Sequence, residues 1–494
     1  MSPLRAVTDL PALRHRNYRL FFGGQGISLI GTWMTAVAQA WLVLQLTGDP
    51  FALGLVSAAQ FTPVLILGLF GGLIADGLPK RSTLYITQIV AMGVSISLFA
   101  LTVTGTAQLW HVFALATIMG IRNAVDMPTR QAFAVEMVGR EDVGNAVALN
   151  SAMFNGARIA GPAIAGLIIG AFGVPFAFLI DAISFLAVLV ALYAMDSQEL
   201  RPAPRMDRIR SVRGVVDNLA EGLSYVRRTG IVLLSVTVVG VVATAGINFN
   251  IVIPPLAEQT LGVGATGYGF LMAASGTGSL IAALLIAFGG TQPIRMLVGA
   301  TILGAAEIVM GLTSSYPFDL VLMFLAGVGA ISMMATANTT IQLAVPDALR
   351  GRVMAVYLTV FAGTTPIGGL AMGAIAANAG PQAAIGIGGA ISVAAAVLGL
   401  VWYRRLQASE AVPAMGLPAV EGIVGGGVPV AGSGPVAEAR PVAAVPAGGV
   451  AAAGAGVPVA GAGVPVAAVP AGGVAVDGPQ RASAHRIAPG FHDR

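Results

Sequence analysis

From Phe21 to Trp402 the chain runs through one apolar stretch after another, with only short polar breaks between them. A hydrocarbon core about 30 Å thick is crossed by about 20 mostly apolar residues in a helix. The stretches are predicted as spans at 20–46, 51–75, 83–105, 109–131, 147–171, 174–195, 230–254, 265–289, 294–314, 317–344, 353–378 and 382–403. Charged residues make up only 10% of the chain and apolar residues 56%, whereas a soluble domain carries about 25% charged residues. An ordinary soluble protein is excluded. So is a cleaved leader ahead of a soluble body, because the first stretch leads into more apolar sequence and not into a polar domain. The chain has no cysteine, which removes disulfides, Cys-ligated zinc and thiol chemistry.

Basic residues alternate with the spans. They fall in the N-terminal arm (Arg5, Arg14, Arg16, Arg19), after span two (Lys80, Arg81), after span four (Arg140), and densely between Arg201 and Arg228 after span six. Arg295, Arg350, Arg352, Arg404 and Arg405 continue the series. The opposite loops, around Asp49, 105–108, 172–175, Glu258, Pro317 and Gly380, contain no Lys or Arg. By the positive-inside rule both termini are expected in the cytoplasm, with the chain in the plasma (inner) membrane. A pI near 9.7 would point to nucleic acid only if these bases formed one soluble patch; their distribution does not.

The chain also repeats itself. A shift of 207 positions superposes Val138 on Val345, Gly144 on Gly351, Ala148 on Ala355, Phe154 on Phe361, Gly156 on Gly363, Gly161 on Gly368 and Gly166 on Gly373. Small residues recur where transmembrane helices approach closely. Two parallel six-helix halves with a central mid-membrane site are a transporter design.

After span two comes Gly-Gly-Leu-Ile-Ala-Asp-Gly-Leu-Pro-Lys-Arg, residues 71–81. This resembles the signature loop of the major facilitator superfamily, with Gly72, Ala75, Asp76, Lys80 and Arg81 matching and Gly77 standing where that family usually has Arg. The resemblance implies a gating charge cluster of Asp76, Lys80, Arg81 and Arg130. Span five carries Gly161, Pro162 and Gly166; proline there removes a backbone donor and bends the helix. With Pro128-Thr129-Arg130, the Arg158-Ile-Ala-Gly-Pro run and Leu349-Arg350-Gly351-Arg352-Val353, the chain is most similar to the transmembrane secretion effector branch, which contains the enterobactin exporter and drug efflux proteins. The resemblance covers about residues 12–405 and implies an all-α integral membrane fold of twelve helices in two pseudo-symmetric halves, followed by a disordered tail. The divisions expected are an arm at 1–19, halves at 20–195 and 230–405, a cytoplasmic linker at 196–229, and an Ala/Val/Gly/Pro-rich tail at 406–494. Deleting that tail is expected to leave transport untouched.

Ionisable residues inside spans are costly and are functional candidates. Arg122, Asp126 and Arg130 recur every four residues and share one face of span four. One reading makes Asp126 the proton-exchanging group with Arg122 or Arg158 tuning it; the other makes the three a structural ion pair. Asp181 reads as a helix-packing hydrogen bonder, and Glu307 as a snorkelling or locally bonded side chain. Gln25, Thr32, Gln39, Asn248 and Asn250 are candidate cavity contacts, and Trp33, Trp41, Met333 and Met334 are candidate pocket residues or, alternatively, packing or lipid-contact residues. No HExxH and no phosphate-binding Gly-rich loop is present, so no enzyme is expected. No metal or cofactor is expected either, the proton gradient supplying the energy. The expected partners are the lipid bilayer, a small-molecule substrate and the proton, with no nucleic acid, and the chain is expected to act as a monomer. Proton-coupled export of an amphipathic siderophore or drug by alternating access is the function expected; an uptake symporter or facilitator for a small solute is the alternative, and a membrane receptor or scaffold a remote one.

Overall fold

The computed structural model describes residues 10–201, 212–289 and 292–410. Among these there are helices and no strands, as a backbone surrounded by lipid requires. A short 3₁₀ turn, Pro11–Arg14, precedes span one, Arg16–Thr47. Spans two, three and six are Pro50–Gly77, Lys80–Val103 and Val174–Ala194. Spans eight to twelve are Gly264–Gly289, Ile294–Leu312, Tyr316–Ala344, Asp347–Ala379 and Pro381–Glu410. The last helix runs five residues into the predicted tail, since good helix formers continue as far as Glu410 and Pro413 is the first breaker. The rest of that tail lies outside the described residues.

Eleven described helices are long and apolar enough to cross a membrane. One of them, Leu109–Phe172, has 64 residues and, at 1.5 Å per residue, is about 96 Å long. It therefore crosses twice, which restores twelve crossings. Its fold-back residue is Gly139, at φ 77° and ψ 175°, a conformation that suits a residue without Cβ. The arms before and after Gly139 are spans four and five, so the predicted loop between them is helical. Span seven is broken: Gly230–Ala245 stops, Gly246, Ile247 and Asn248 interrupt, and Phe249–Pro255 resumes before a π-helical turn at Leu256–Thr260.

The repeat in the sequence returns as a repeat in the packing. A Cβ on Gly161 would lie 2.4 Å from Trp33 Cβ of span one, and a Cβ on its counterpart Gly368 would lie 2.1 Å from the Thr244 carbonyl of span seven. Gly166 packs on Ala265 and Thr266 of span eight, while Gly373 packs on Pro50 and Phe51 of span two. Gly173 (φ 93°) and Gly380 (φ 90°), also 207 apart, end spans five and eleven, each donating its N–H to a carbonyl four residues back. Equivalent glycines thus permit equivalent helix contacts in the two halves.

The linker contributes a helix, Val212–Arg228. It is fastened to the second half by an ion pair from Arg352 to Glu221 and by the Tyr225 hydroxyl, which donates to the Ala344 carbonyl at 3.1 Å. At the basic end of the first half the starting segment is pinned as well. Asn17 exchanges two hydrogen bonds with the backbone of Asp196, His15 meets Asp142 at 2.7 Å, and Tyr18 donates to the Ala146 carbonyl. Tyr18, Phe21, Leu84, Phe133 and Leu192 form a small core beneath these contacts.

Candidate functional site

Asp126 is 1% exposed and accepts from every side. Arg122 reaches its Oδ1 at 3.2 Å, and Arg130 forms a close ion pair with Oδ2. Thr87 Oγ1 and Gln88 Nε2, both from span three, donate to Oδ1 at 2.6 Å and 3.0 Å. Arg122 also donates to the Thr87 carbonyl and to Asn123 Oδ1. The i,i+4 spacing made the three charges legible in the sequence. The span-three partners were not, because nothing local links residue 87 to residue 126. Arg158, the other candidate for tuning Asp126, forms no described ion pair with it.

Of the signature-loop residues, Gly72 and Asp76 lie in the helical end of span two, and the Asp76 side chain is outside the described set. Lys80 pairs with Glu136, on the helical fold-back, at 2.6 Å. Arg81 reaches the end of span six, donating to the Leu192 carbonyl at 2.9 Å, the Tyr193 carbonyl at 3.2 Å and Ser197 Oγ at 2.5 Å. The last carbonyls of a helix have no partner within it, and a cation there satisfies them while complementing the helix dipole. The described bases of this loop therefore bind groups within their own half.

The most extensive described contacts between the halves are two seams, span two with span eleven and span five with span eight. In the first, a Cβ on Gly54 would lie 2.4 Å from the Gly369 carbonyl, and Gly373 packs on Pro50. In the second, Thr266 Oγ1 donates to the Gly166 carbonyl at 3.0 Å, and Gly269 packs on Pro162. Trp41 of span one stacks on Tyr268 of span eight at 6.2 Å, and the Tyr268 hydroxyl donates to Asn250 Oδ1 of span seven at 3.4 Å. Moving towards the basic end, the seams reach Leu65 against Gly363 and the Arg158 backbone against Gly276.

The remaining candidates divide. Gln25 is buried and its Oε1 has no hydrogen-bond partner. Thr32 donates back to the Ser28 carbonyl of its own helix, and Gln39 is half-buried. Asn248, in the break of span seven, donates to the Thr244 carbonyl at 2.7 Å. Trp33, Trp41, Met333 and Met334 are all buried in protein, so lipid contact is not their role. Asp181 accepts from Thr35 of span one and Ser95 of span three, both at 2.7 Å, and lies beside Ser184; it bridges helices, as its position in the sequence implied. Glu307 departs from expectation. It is 3% exposed, its Oε2 has no hydrogen-bond partner, and that oxygen lies against Gly246 at the break of span seven. It cannot snorkel, because span twelve closes over it with Gly389 and Ser392. Among the described residues no cluster of His, Cys, Asp and Glu could hold a metal ion.

Comparison with known proteins agrees with this architecture. The chain is 30% identical over 176 residues to the staphyloferrin A transporter of Staphylococcus aureus, an alignment covering 35% of this chain and 44% of that protein. It is 28% identical over 364 residues to the multidrug efflux pump Tap of Mycolicibacterium fortuitum, covering 72% of this chain and 87% of that one. The fold matches the crystal structure of a mutant of the nucleoside transporter NupG with a TM-score of 0.63 at 12% identity, over 80% of this chain and 100% of that chain. A family model described as transmembrane secretion effector matches residues 7–421. With twelve crossings in two equivalent halves and that match over most of its length, the chain belongs to the transmembrane secretion effector family of major facilitator transporters.

Proposed function

We propose that this transporter exports a small amphipathic molecule, a siderophore or a drug, by proton-coupled alternating access. It acts as a monomer in the plasma membrane with both termini in the cytoplasm, needs no cofactor and catalyses no chemical conversion. One observation carries this reading: two equivalent seams join the halves, Gly54 against Gly369 with Leu65 against Gly363, and Gly166 against Thr266 with the Arg158 backbone against Gly276. Paired seams between two equivalent halves are the surfaces that an alternating-access carrier opens and closes in turn. The names of the staphyloferrin A transporter and of the efflux pump Tap support a siderophore or drug as cargo.

In this reading the halves at 20–195 and 230–405 rock about the linker at 196–229. Lys80 on Glu136 and Arg81 on the end of span six keep the basic end of the first half rigid while it moves. Gly72, Asp76 and Arg130 complete the gate, and the bend at Gly161, Pro162 and Gly166 shapes the span-five seam. Gln25, Thr32, Gln39, Asn248 and Asn250 contribute polar contacts to the path. Asp126 with Arg122 is the charge centre from which coupling is organised. The test is retention of fluorescent drugs and siderophores in cells with and without the protein, each with and without an uncoupler. Lower retention that the uncoupler abolishes is expected; higher retention of any compound would assign uptake instead.

A further inference from the structure

Among the described side chains, the interior of the first half carries three guanidiniums and two carboxylates, and their pairing leaves one guanidinium over. Arg122 and Arg130 share Asp126. Asp181 is occupied by hydroxyl groups. Arg158 is 5% exposed, its Nη1 has no hydrogen-bond partner, and no described carboxylate pairs with it. It lies over the Trp33 ring, whose centre is 5.9 Å from the guanidinium carbon, and the Trp33 Nε1 is itself a buried donor without an acceptor. A buried charge with no counter-charge is costly, and a second orphan donor beside it adds to the cost. Both are relieved at once by an anion that arrives from outside the protein.

The position suits a transported anion. Pro162 lacks the amide that would bond the Arg158 carbonyl, so span five is loosened at this residue, and Gly276 of the other half packs against that same carbonyl. Arg158 thus stands on the span-five seam, at the interface that alternating access opens and closes. One uncompensated positive charge matches one negative charge. The planar guanidinium fork pairs bidentately with carboxylate, whereas a phosphate dianion would bring a surplus charge into an interior with nothing left to meet it. We propose that Arg158, backed by Trp33, binds a carboxylate on the transported molecule, and that the substrates are amphipathic organic acids. This deepens the proposed transport function and rests on it.

The test is equilibrium dialysis of the purified full chain in detergent with tritiated naphthalene-1-acetate and, separately, naphthalene-1-acetamide, which differ in charge and hardly in shape. The carboxylate should bind roughly ten- to a hundred-fold more tightly, the range spanned by a charge-assisted hydrogen bond. Arg158→Gln should bind the two probes alike. Arg158→Lys, which keeps the charge but loses the fork, should show a reduced preference, and it carries the test if the glutamine variant does not yield folded protein. The proposal is overturned by a wild-type protein that binds no carboxylate or shows no preference, by an R158Q protein that keeps the preference, or by R158K with unaltered affinity. The transport reading fails separately: uncoupler-sensitive export of any compound by a protein that shows no carboxylate preference in dialysis keeps export and loses the carboxylate site. Selective carboxylate binding without any change in cellular retention does the reverse.

Discussion

Replacing Asp126 by Asn removes one charge from a place where two carboxylate oxygens meet two guanidiniums, a hydroxyl and an amide. The amide that replaces it is nearly the same size, so no cavity forms. What changes is that Arg122 and Arg130 face each other across a neutral group, and one of the two atoms at the tip of the new side chain becomes a donor pointing at donors. Removing one member of a buried ion pair costs about 3–5 kcal/mol, against ~0.6 kcal/mol for an average hydrogen bond between membrane helices. A loss of about 3 kcal/mol, roughly a hundred-fold in the folding equilibrium, is therefore expected. The assay is denaturant unfolding of purified protein in mixed micelles, run as a double-mutant cycle with Arg130→Gln. The double variant should lose clearly less than the sum of the single variants, since each removes the other's uncompensated charge. An Asp126→Asn protein that unfolds at the wild-type midpoint, with transport that has lost only its sensitivity to an uncoupler, would refute this reasoning. It would make Asp126 the proton carrier and not the structural centre of a charge cluster.

Further outcomes follow from the same contacts. Gly368→Ala should destabilise by about 1–3 kcal/mol through overpacking, because its Cβ would lie 2.1 Å from a backbone oxygen of span seven that cannot rotate away. Gly351→Ala, with nothing within 4 Å, should be neutral or stabilising by up to about 1 kcal/mol in a helix, and thermal unfolding of both variants in detergent checks the pair. Arg81→Gln should lower stability by about 1–3 kcal/mol as the span-six carbonyls lose a charged donor, with substrate affinity unchanged by dialysis. Glu307→Met should raise the unfolding midpoint, since it replaces a buried carboxyl with an unpartnered oxygen by an apolar side chain of similar length; a lowered midpoint would mean that the carboxyl holds span seven at its break.

Much of the first-half charge cluster could be read in advance because it is local. Arg122, Asp126 and Arg130 lie one turn apart on one helix, and helical periodicity alone puts them together. Thr87 and Gln88 complete the same cluster from another span. No periodicity relates them to Asp126, because their contact depends on how span three is rotated about its axis. Glu136 is a comparable case: it sits in a polar segment between spans, and only the helical fold-back at Gly139 brings it to Lys80.

The sequence by itself determined the membrane-crossing fold, the number of crossings and the equivalence of the halves. Those depend on quantities summed along the chain, apolar length against bilayer thickness and recurrence of small residues at a fixed offset, which packing does not alter. Tertiary structure alone decided which charges are matched. Arg158 and Asp126 both belong to the long helix Leu109–Phe172, yet Asp126 is taken by Arg122 and Arg130 while Arg158 is left over Trp33. Glu307 reads in the sequence as a snorkelling or locally bonded side chain, yet it is closed in against the break of span seven. Ion pairs and hydrogen bonds act over about 3–4 Å, and at that range the outcome is set by the depth, rotation and tilt of neighbouring helices, which residue order does not specify.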